Sequence, residues 1–511
     1  MKDILAPGIN CYGIDNVSET GLLVDGCDYY RAFWTAAAKA ERYILLSGWQ
    51  FDSDVQLVRD DGDTGVETTL IAFLNRLCEN NPDLRVYILA WNFSMIYCID
   101  REWLQRWHFK WSANARIQFC FDSSHPFGAS HHQKYVVIDG QIAFLGGLDI
   151  CSGRWDERDH RAVNPCRANT DQIPYAPFHD VQTYHVGALA GRLAQFFKEQ
   201  WSIVCGSEFE LPEPSKKPAL HPQNALPIDS PRVALSRTQV KPQEFGNESV
   251  REIRRLFRDV VDAAESLIYI ENQYFSAQAL YDALARRMSD PSRPRLEIVL
   301  LLAKEANAFV EQASIGVAQT KIIRELKYLA AKTGHKLGIY YPASRAENGD
   351  DVPTYIHAKL LLVDDCFLSS GSANMNNRSM GLDTELNVSW QARHGDDDAL
   401  RSIRDARVNL LAEHTGLSGD AAGVLAPIDG IVGRLDEIAK DPSSRLRIHP
   451  LLNNSLEAET WIETFFPDGL PLDPEGPVFG EDTYEPIPAG RDTLFPKGIN
   501  WLSNLLSKRI E

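Results

Sequence analysis

The sequence predicts an α/β protein whose architecture is built twice along one chain. Two observations predict it. A histidine-centred motif occurs twice, and the same succession of helix and strand signals leads up to both copies. The first copy starts at His132 and runs through Lys134 and Asp139 to Gly146, Gly147 and Asp149. The second starts at His357 and runs through Lys359 and Asp364 to Gly371, Ser372 and Asn374. Both read H-x-K-x4-D-x6-G-[GS]-x-[DN], and the histidines lie 225 positions apart (357 minus 132). A lone match is a weak signal, whereas two extended copies are not an accident of composition. The plain alternative is a pair of core histidines on similar strands.

The elements follow in order. Residues 28–42 carry a helical pattern and lead into the apolar run 43–49; residues 250–264 do the same before 267–272. Next come the β-rich runs 84–90 and 116–121 in the first half, matched by 296–302 and 336–341 in the second. Trp49 to His132 is 83 residues and Asn272 to His357 is 85. Strands that alternate with helices place this chain among layered α/β folds. The domain reading is a first lobe over 1–205, a connector over 206–242, a second lobe over 243–395, and a C-terminal appendage over 396–511 packed on the core. The connector holds Pro212, Pro214, Pro218, Pro222, Pro227 and Pro231, a density that suits an extended segment. Within the appendage, 396–414 suits a helix, 469–488 is rich in proline, glycine and acids, and 499–508 suits a short amphipathic helix.

A chain of 511 residues is long enough for several domains and a large core. Its net charge of -18 argues against a general nucleic-acid binder. A local pocket on an acidic protein still attracts an anionic substrate. Nine scattered cysteines with no C-x-x-C pair suggest reduced, mostly buried thiols. No secretory leader and no membrane span are visible, so the expectation is a cytoplasmic monomer, with export by a non-classical route open.

The motif carries its own chemistry. On an extended strand residues i and i+2 share a face, so His132 sits with Lys134 and His357 with Lys359. Two lysines cradle a phosphate and two histidines transfer protons, which suits phosphodiester cleavage with no cofactor and no metal. Asn374, Asp149 and Ser372 join the two lysines as candidate phosphate contacts. Each histidine needs an orienting carboxylate. Glu385, 28 residues after His357, is the candidate in the second half, and Asp180 in the first. Asp139 and Asp364 fall on the opposite face from the lysines and are expected to be structural, capping the turn that follows.

At these residues the chain resembles the phospholipase D superfamily, whose hallmark is the duplicated H-x-K-x4-D motif. The flanks 125–134, 146–156, 268–275 and 371–380 resemble true phospholipases D with a plant- or animal-type catalytic core. The resemblance implies two similar α/β sandwich lobes related by a pseudo-twofold axis, with one active site at their interface. It implies a phosphohistidine intermediate, with His132 as nucleophile and His357 as acid and base. It also implies a phospholipid substrate at a membrane or micelle surface, cleaved to phosphatidic acid and the headgroup alcohol, with transphosphatidylation as a further reaction. Trp103, Trp107, Phe109 and Trp111 are candidates for an apolar rim that meets lipid. A cardiolipin-synthase-like phosphatidyltransferase, a nuclease of the same superfamily and a catalytically dead binding protein are the alternatives.

Overall fold

The computed structural model describes residues 3–59, 67–92, 113–126, 128–214, 220–240, 249–305, 309–393, 395–450 and Asp473. All of them lie in one compact unit, Met1–Pro477.

The repeat seen in the sequence is a repeat of whole sheets. The first sheet takes β1 (Gly13–Val24), β2 (Tyr43–Gly48), β3 (Arg85–Trp91), β4 (Ile117–Asp122), β5 (Tyr135–Ile138), β6 (Ile142–Gly146) and β7 (Val181–Gly187). Their order is β4-β3-β2-β5-β6-β7-β1, with β2, β3 and β4 mutually parallel and the other neighbours antiparallel. The second sheet takes β8 (Arg232–Val240), β9 (Leu267–Asn272), β10 (Glu297–Leu302), β11 (Lys336–Arg345), β12 (Lys359–Val363), β13 (Phe367–Gly371) and β14 (Glu385–Gln391). Its order, β11-β10-β9-β12-β13-β14-β8, repeats the first strand for strand. The sheets join where β1 pairs antiparallel with β8, from Gly13 opposite Leu235 to Asn16 opposite Arg232.

Strand parity sets the layers. In β2, Tyr43 and Leu45 enter the central core while Ile44 and Leu46 face outward. In β12, Leu360 and Leu362 take the central core while Leu361 and Val363 face outward. Both faces are therefore apolar, as strands covered on both sides must be. Helices α1 (Asp25–Ala37) and α2 (Leu70–Asn80) cover the first sheet through Phe33, Phe73 and Leu74. Helices α4 (Glu252–Ala263), α5 (Gln278–Ser289) and α6 (Phe309–Thr333) cover the second through Leu256, Leu280 and Ile323. The helices that follow each final strand, α3 (Ala188–Cys205) and α7 (Asp397–Thr415), instead feed Phe197 and Leu410 into the central core. The architecture is a mixed α/β sandwich of two similar lobes.

Three expectations change. The stretch 206–242 is not all connector, since β8 lies inside it and opens the second sheet. The proline run ends at Pro231, and the alternation that begins at Val233 belongs to that strand. The residues after 395 begin as part of the second lobe: α7 is buried in the core and Leu446–Ile448 pairs with β11. The segments 469–488, Asp473 apart, and 499–508 lie outside the described residues, as do Trp103, Trp107, Phe109 and Trp111. Finally, Cys120 on β4 and Cys205 at the end of α3 form a disulfide, so these two thiols are not reduced.

Asp139 and Asp364 are structural, but they act on a neighbouring segment rather than on their own turn. Asp139 accepts hydrogen bonds from the backbone N–H groups of Glu41, Arg42 and Tyr43 at 2.7–2.8 Å. Asp364 accepts from those of Glu265, Ser266 and Leu267 at 2.7–2.8 Å. Each carboxylate thus fixes the start of the parallel strand beside it, β2 or β9. Both residues have left-handed backbone, φ 51° and 54°, a conformation that Asp tolerates better than most side chains. Asp364→Ala should lower unfolding stability by about 2–4 kcal/mol, because several N–H groups lose a charged acceptor. Urea denaturation checks this; an unchanged midpoint would remove the anchoring role.

Candidate active site

The two motif histidines are positioned by backbone hydrogen bonds that cross between the halves. The His132 N–H donates to the Thr384 carbonyl at 3.1 Å, and the Thr384 N–H returns a bond to Ser130 at 2.9 Å. The His357 N–H donates to the His179 carbonyl at 2.8 Å. Phe178–His179 pairs in parallel with Tyr355–Ile356. In each case the acceptor residue immediately precedes one of the two candidate acids.

The side chains follow the backbone. His132 Nδ1 lies 3.0 Å from both carboxylate oxygens of Glu385. His357 Nδ1 lies 2.5 Å from Asp180 Oδ2. Each acid therefore serves the histidine of the opposite half, so pairing within a half is overturned. Both acids are wholly buried; Glu385 opens β14 and Asp180 immediately precedes β7. With Nδ1 occupied by a carboxylate, the opposite ring nitrogen, Nε2, is the one left for chemistry.

The lysines stand between these pairs. Lys134 Nζ donates to the His132 carbonyl at 3.0 Å and lies 3.3 Å from Asp149 Oδ2. Lys359 Nζ donates to the His357 carbonyl and to Gln273 Oε1, the latter at 3.2 Å. Both are almost fully buried. Burial, with Lys134 and Lys359 beside it, holds the His132 imidazole well below its ordinary range. Burial and then Lys359, Arg154 and Lys134 do the same to His357. Burial pushes Asp180 and Glu385 up to about 7 each. Burial, reinforced by Lys134, brings Lys359 down to about 7. His132, His357, Asp180, Glu385 and Lys359 are thus shifted together, with the charge of Lys134 beside them.

The downstream glycine pair belongs to the acids. A Cβ on Gly147 would sit 2.3 Å from Asp180 Oδ1, so only glycine leaves that carboxylate its place. The matching Ser372 donates its hydroxyl to Glu385 Oε2 at 2.5 Å and accepts from the Leu386 N–H. Ser372 thus supports Glu385 in this structure. Asp149 accepts from the Trp49 and Gln50 N–H groups and lies 3.3 Å from Lys134. Asn374 is 5% exposed, and its buried Oδ1 has no hydrogen-bond partner.

Two residues join the site that composition and spacing did not single out. Arg154, whose guanidinium lies 5.0 Å over the Phe178 ring, adds positive charge beside His357 and Lys359. Gln273 holds Lys359. Arg154 lies on the flank that follows Gly146–Asp149, and Gln273 directly follows β9. Neither has a counterpart in the repeat to mark it out.

The chain is similar to known proteins over most of its length. Residues 36–289 match the family model "Phospholipase D", and residues 257–402 match "Cardiolipin synthase, PLD-like domain". Phospholipase D1 of Saccharomyces cerevisiae is 24% identical over 78% of this chain and 29% of its own length. Phospholipase D alpha 3 of Arabidopsis thaliana is 23% identical over 77% of this chain and 63% of its own. The chain thus spans less than two thirds of either relative. Among solved structures, phosphatidylserine synthase of Haemophilus influenzae shares the fold with TM-score 0.52 and 14% identity, over 82% of this chain and 92% of that one. Two family models that together run from residue 36 to 402, relatives across three quarters of the chain and a shared fold all agree, and the chain belongs to the phospholipase D superfamily.

Proposed function

We propose that this chain is a phospholipase D: it cleaves the distal phosphodiester of glycerophospholipids to phosphatidic acid and the headgroup alcohol, through a phosphohistidine on His132. The observation that carries the reading is the pair of crossed His–carboxylate dyads with two buried lysines between them. Lys134 and Lys359 hold the non-bridging oxygens and offset charge that grows on them. His132 Nε2 attacks phosphorus while its Nδ1 keeps its proton and donates it in a hydrogen bond to Glu385. As the N–P bond forms, the bond from phosphorus to the headgroup oxygen breaks. The His357–Asp180 dyad delivers a proton to that oxygen. The same dyad then takes a proton from water, which attacks phosphorus and releases His132. His132 has 17% of its side chain exposed and His357 9%, which favours His132 as the group that meets the substrate first.

Transfer to an alcohol instead of water is the second reading. The cardiolipin synthase model on residues 257–402 favours it, and the same intermediate serves both outcomes. Incubation with phosphatidylcholine or phosphatidylethanolamine, with and without a primary alcohol, tests both readings. Phosphatidic acid alone supports hydrolysis, and a phosphatidyl alcohol supports transfer. Absence of headgroup release across a phospholipid panel, with DNA cut instead, overturns them.

The dyads give a pH dependence with a definite sign. The His132 dyad must carry one proton and the His357 dyad two. Their carboxylates lie near 7, so the dyads titrate as coupled pairs around neutrality. Acid adds a second proton to His132–Glu385 and stops attack. Base strips His357–Asp180 and discharges Lys359, which also lies near 7. The kcat/KM profile should be a bell centred near 7, and a flat profile from pH 5 to 9 would contradict the site model.

The histidine roles separate with a good leaving group. With a p-nitrophenyl phosphodiester, which needs no protonation, His357→Asn should still form the phosphoenzyme and accumulate it. His132→Asn should form none. Both variants should lose about 10²–10⁴-fold in turnover of natural lipid. Peptide mapping that places the phosphate on His357 would reverse the assignment.

A further inference from the structure

Beside the active site lies a second cluster of titratable groups that the proposed reaction does not use. Asp25 opens α1, His160 lies between β6 and β7, His179 precedes Asp180, and Glu413 stands near the end of α7. Their exposures are 0%, 1%, 0% and 6%. Four side chains of this kind in a dry interior are costly unless something compensates them.

The four side chains converge on one point. His179 Nδ1 lies 2.8 Å from Glu413 Oε1 and 3.1 Å from Asp25 Oδ1. His160 Nε2 lies 3.2 Å from Glu413 Oε1 and 3.4 Å from Asp25 Oδ2. One ligand atom from each residue falls within 4.8 Å of all the others. Ligands of a tetrahedral zinc ion, bonded at about 2.0–2.1 Å, stand roughly 3.3–3.4 Å apart, close to these separations.

Two further observations point to a cation at that centre. Each imidazole turns its outer nitrogen to a carboxylate: His160 Nδ1 to Asp156 Oδ2 at 3.0 Å, and His179 Nε2 to Glu271 Oε2 at 2.8 Å. Metal-bound histidines are oriented in this way, one nitrogen on the metal and the other on an outer acid. In addition, two of the inward atoms, Asp25 Oδ2 and His179 Nδ1, are fully buried and make no hydrogen bond despite their close neighbours.

We propose that Asp25, His160, His179 and Glu413 bind one divalent cation, with zinc the best match to two imidazoles and two carboxylates. Two carboxylates cancel the charge of the ion, so the buried centre is neutral. All four positions are taken by protein and the site is closed, which marks it as structural. It ties α1, the segment before β7 and α7 to one point. The Asp25 N–H donates to the Asp180 carbonyl at 2.8 Å, and the Asp180 N–H donates back to Asp25 Oδ1 at 3.2 Å. The ion therefore also steadies the acid that orients His357. The ligands run from position 25 to 413, so no local spacing in the sequence signals them.

Elemental analysis of the purified full-length chain, after dialysis into metal-free buffer, tests this. One divalent cation per chain is expected in the wild type and in His132→Asn, which leaves the cluster intact. Glu413→Gln, close in shape, should lower retained metal at least tenfold with an unchanged far-UV circular dichroism spectrum. If that variant does not fold, X-ray absorption on the wild type decides: two imidazoles with two oxygens near 2.0–2.1 Å are expected. Wild type that holds under a tenth of an equivalent, after expression with zinc, manganese, iron and calcium supplied, overturns the proposal. So does a full equivalent retained by folded Glu413→Gln, or an absorption spectrum with sulfur ligands or oxygens alone.

Discussion

The hydrogen bonds from His132 to Glu385 and from His357 to Asp180 are the constraint on which the rest of the molecule depends. Each joins a side chain of one lobe to a side chain of the other, and each acid is buried. A buried carboxylate without a partner is costly, so neither lobe is satisfied alone. The backbone bonds beside the dyads repeat the exchange: Thr384 and His179, which precede the acids, accept the N–H groups of His132 and His357. The central core then closes around this seam, with Leu45 and Val137 from one sheet and Leu360 and Leu362 from the other.

Burial also supplies the chemistry. Taken out of water, the imidazoles move down in proton affinity and the carboxylates move up toward neutrality. Lys359 moves down for the same reason. One physical cause, burial, thus moves the two acids up and Lys359 down to about 7 while it holds the imidazoles in their neutral form. The lobe interface is thus both the joint of the fold and the source of the reactivity proposed for it.

Much of this was legible in the sequence. Runs such as 267–272 and 336–341 are apolar and β-rich, and they form strands because both faces are covered. The duplicated motif marks the histidines and lysines that the fold brings together. The acids were legible as candidates, since Asp180 and Glu385 stand at the start of equivalent strands. Which histidine each one serves was not, because that depends on how the lobes dock, and docking leaves no local pattern. The strand β8 was hidden by the prolines just before it. The roles of Ser372 and Asp149 were hidden for another reason. Motif spacing places them near the phosphate, but their hydrogen bonds go to Glu385 in one case and to the Trp49 backbone and Lys134 in the other.

The two copies are no longer identical. Gly147 stands empty beside Asp180, where Ser372 donates to Glu385. Asp149 grips Lys134, while the matching motif position of the second half is Asn374. Arg154 adds positive charge beside His357 and Lys359. An assembly of two identical half-chains would have to change both sides of its seam with every mutation. Covalent fusion removes that restriction: a substitution in one half alters one histidine alone. It also makes the joint cleft independent of protein concentration, since its halves never part. Specialisation of the two histidines is therefore a property that the tandem arrangement permits and a symmetric dimer forbids.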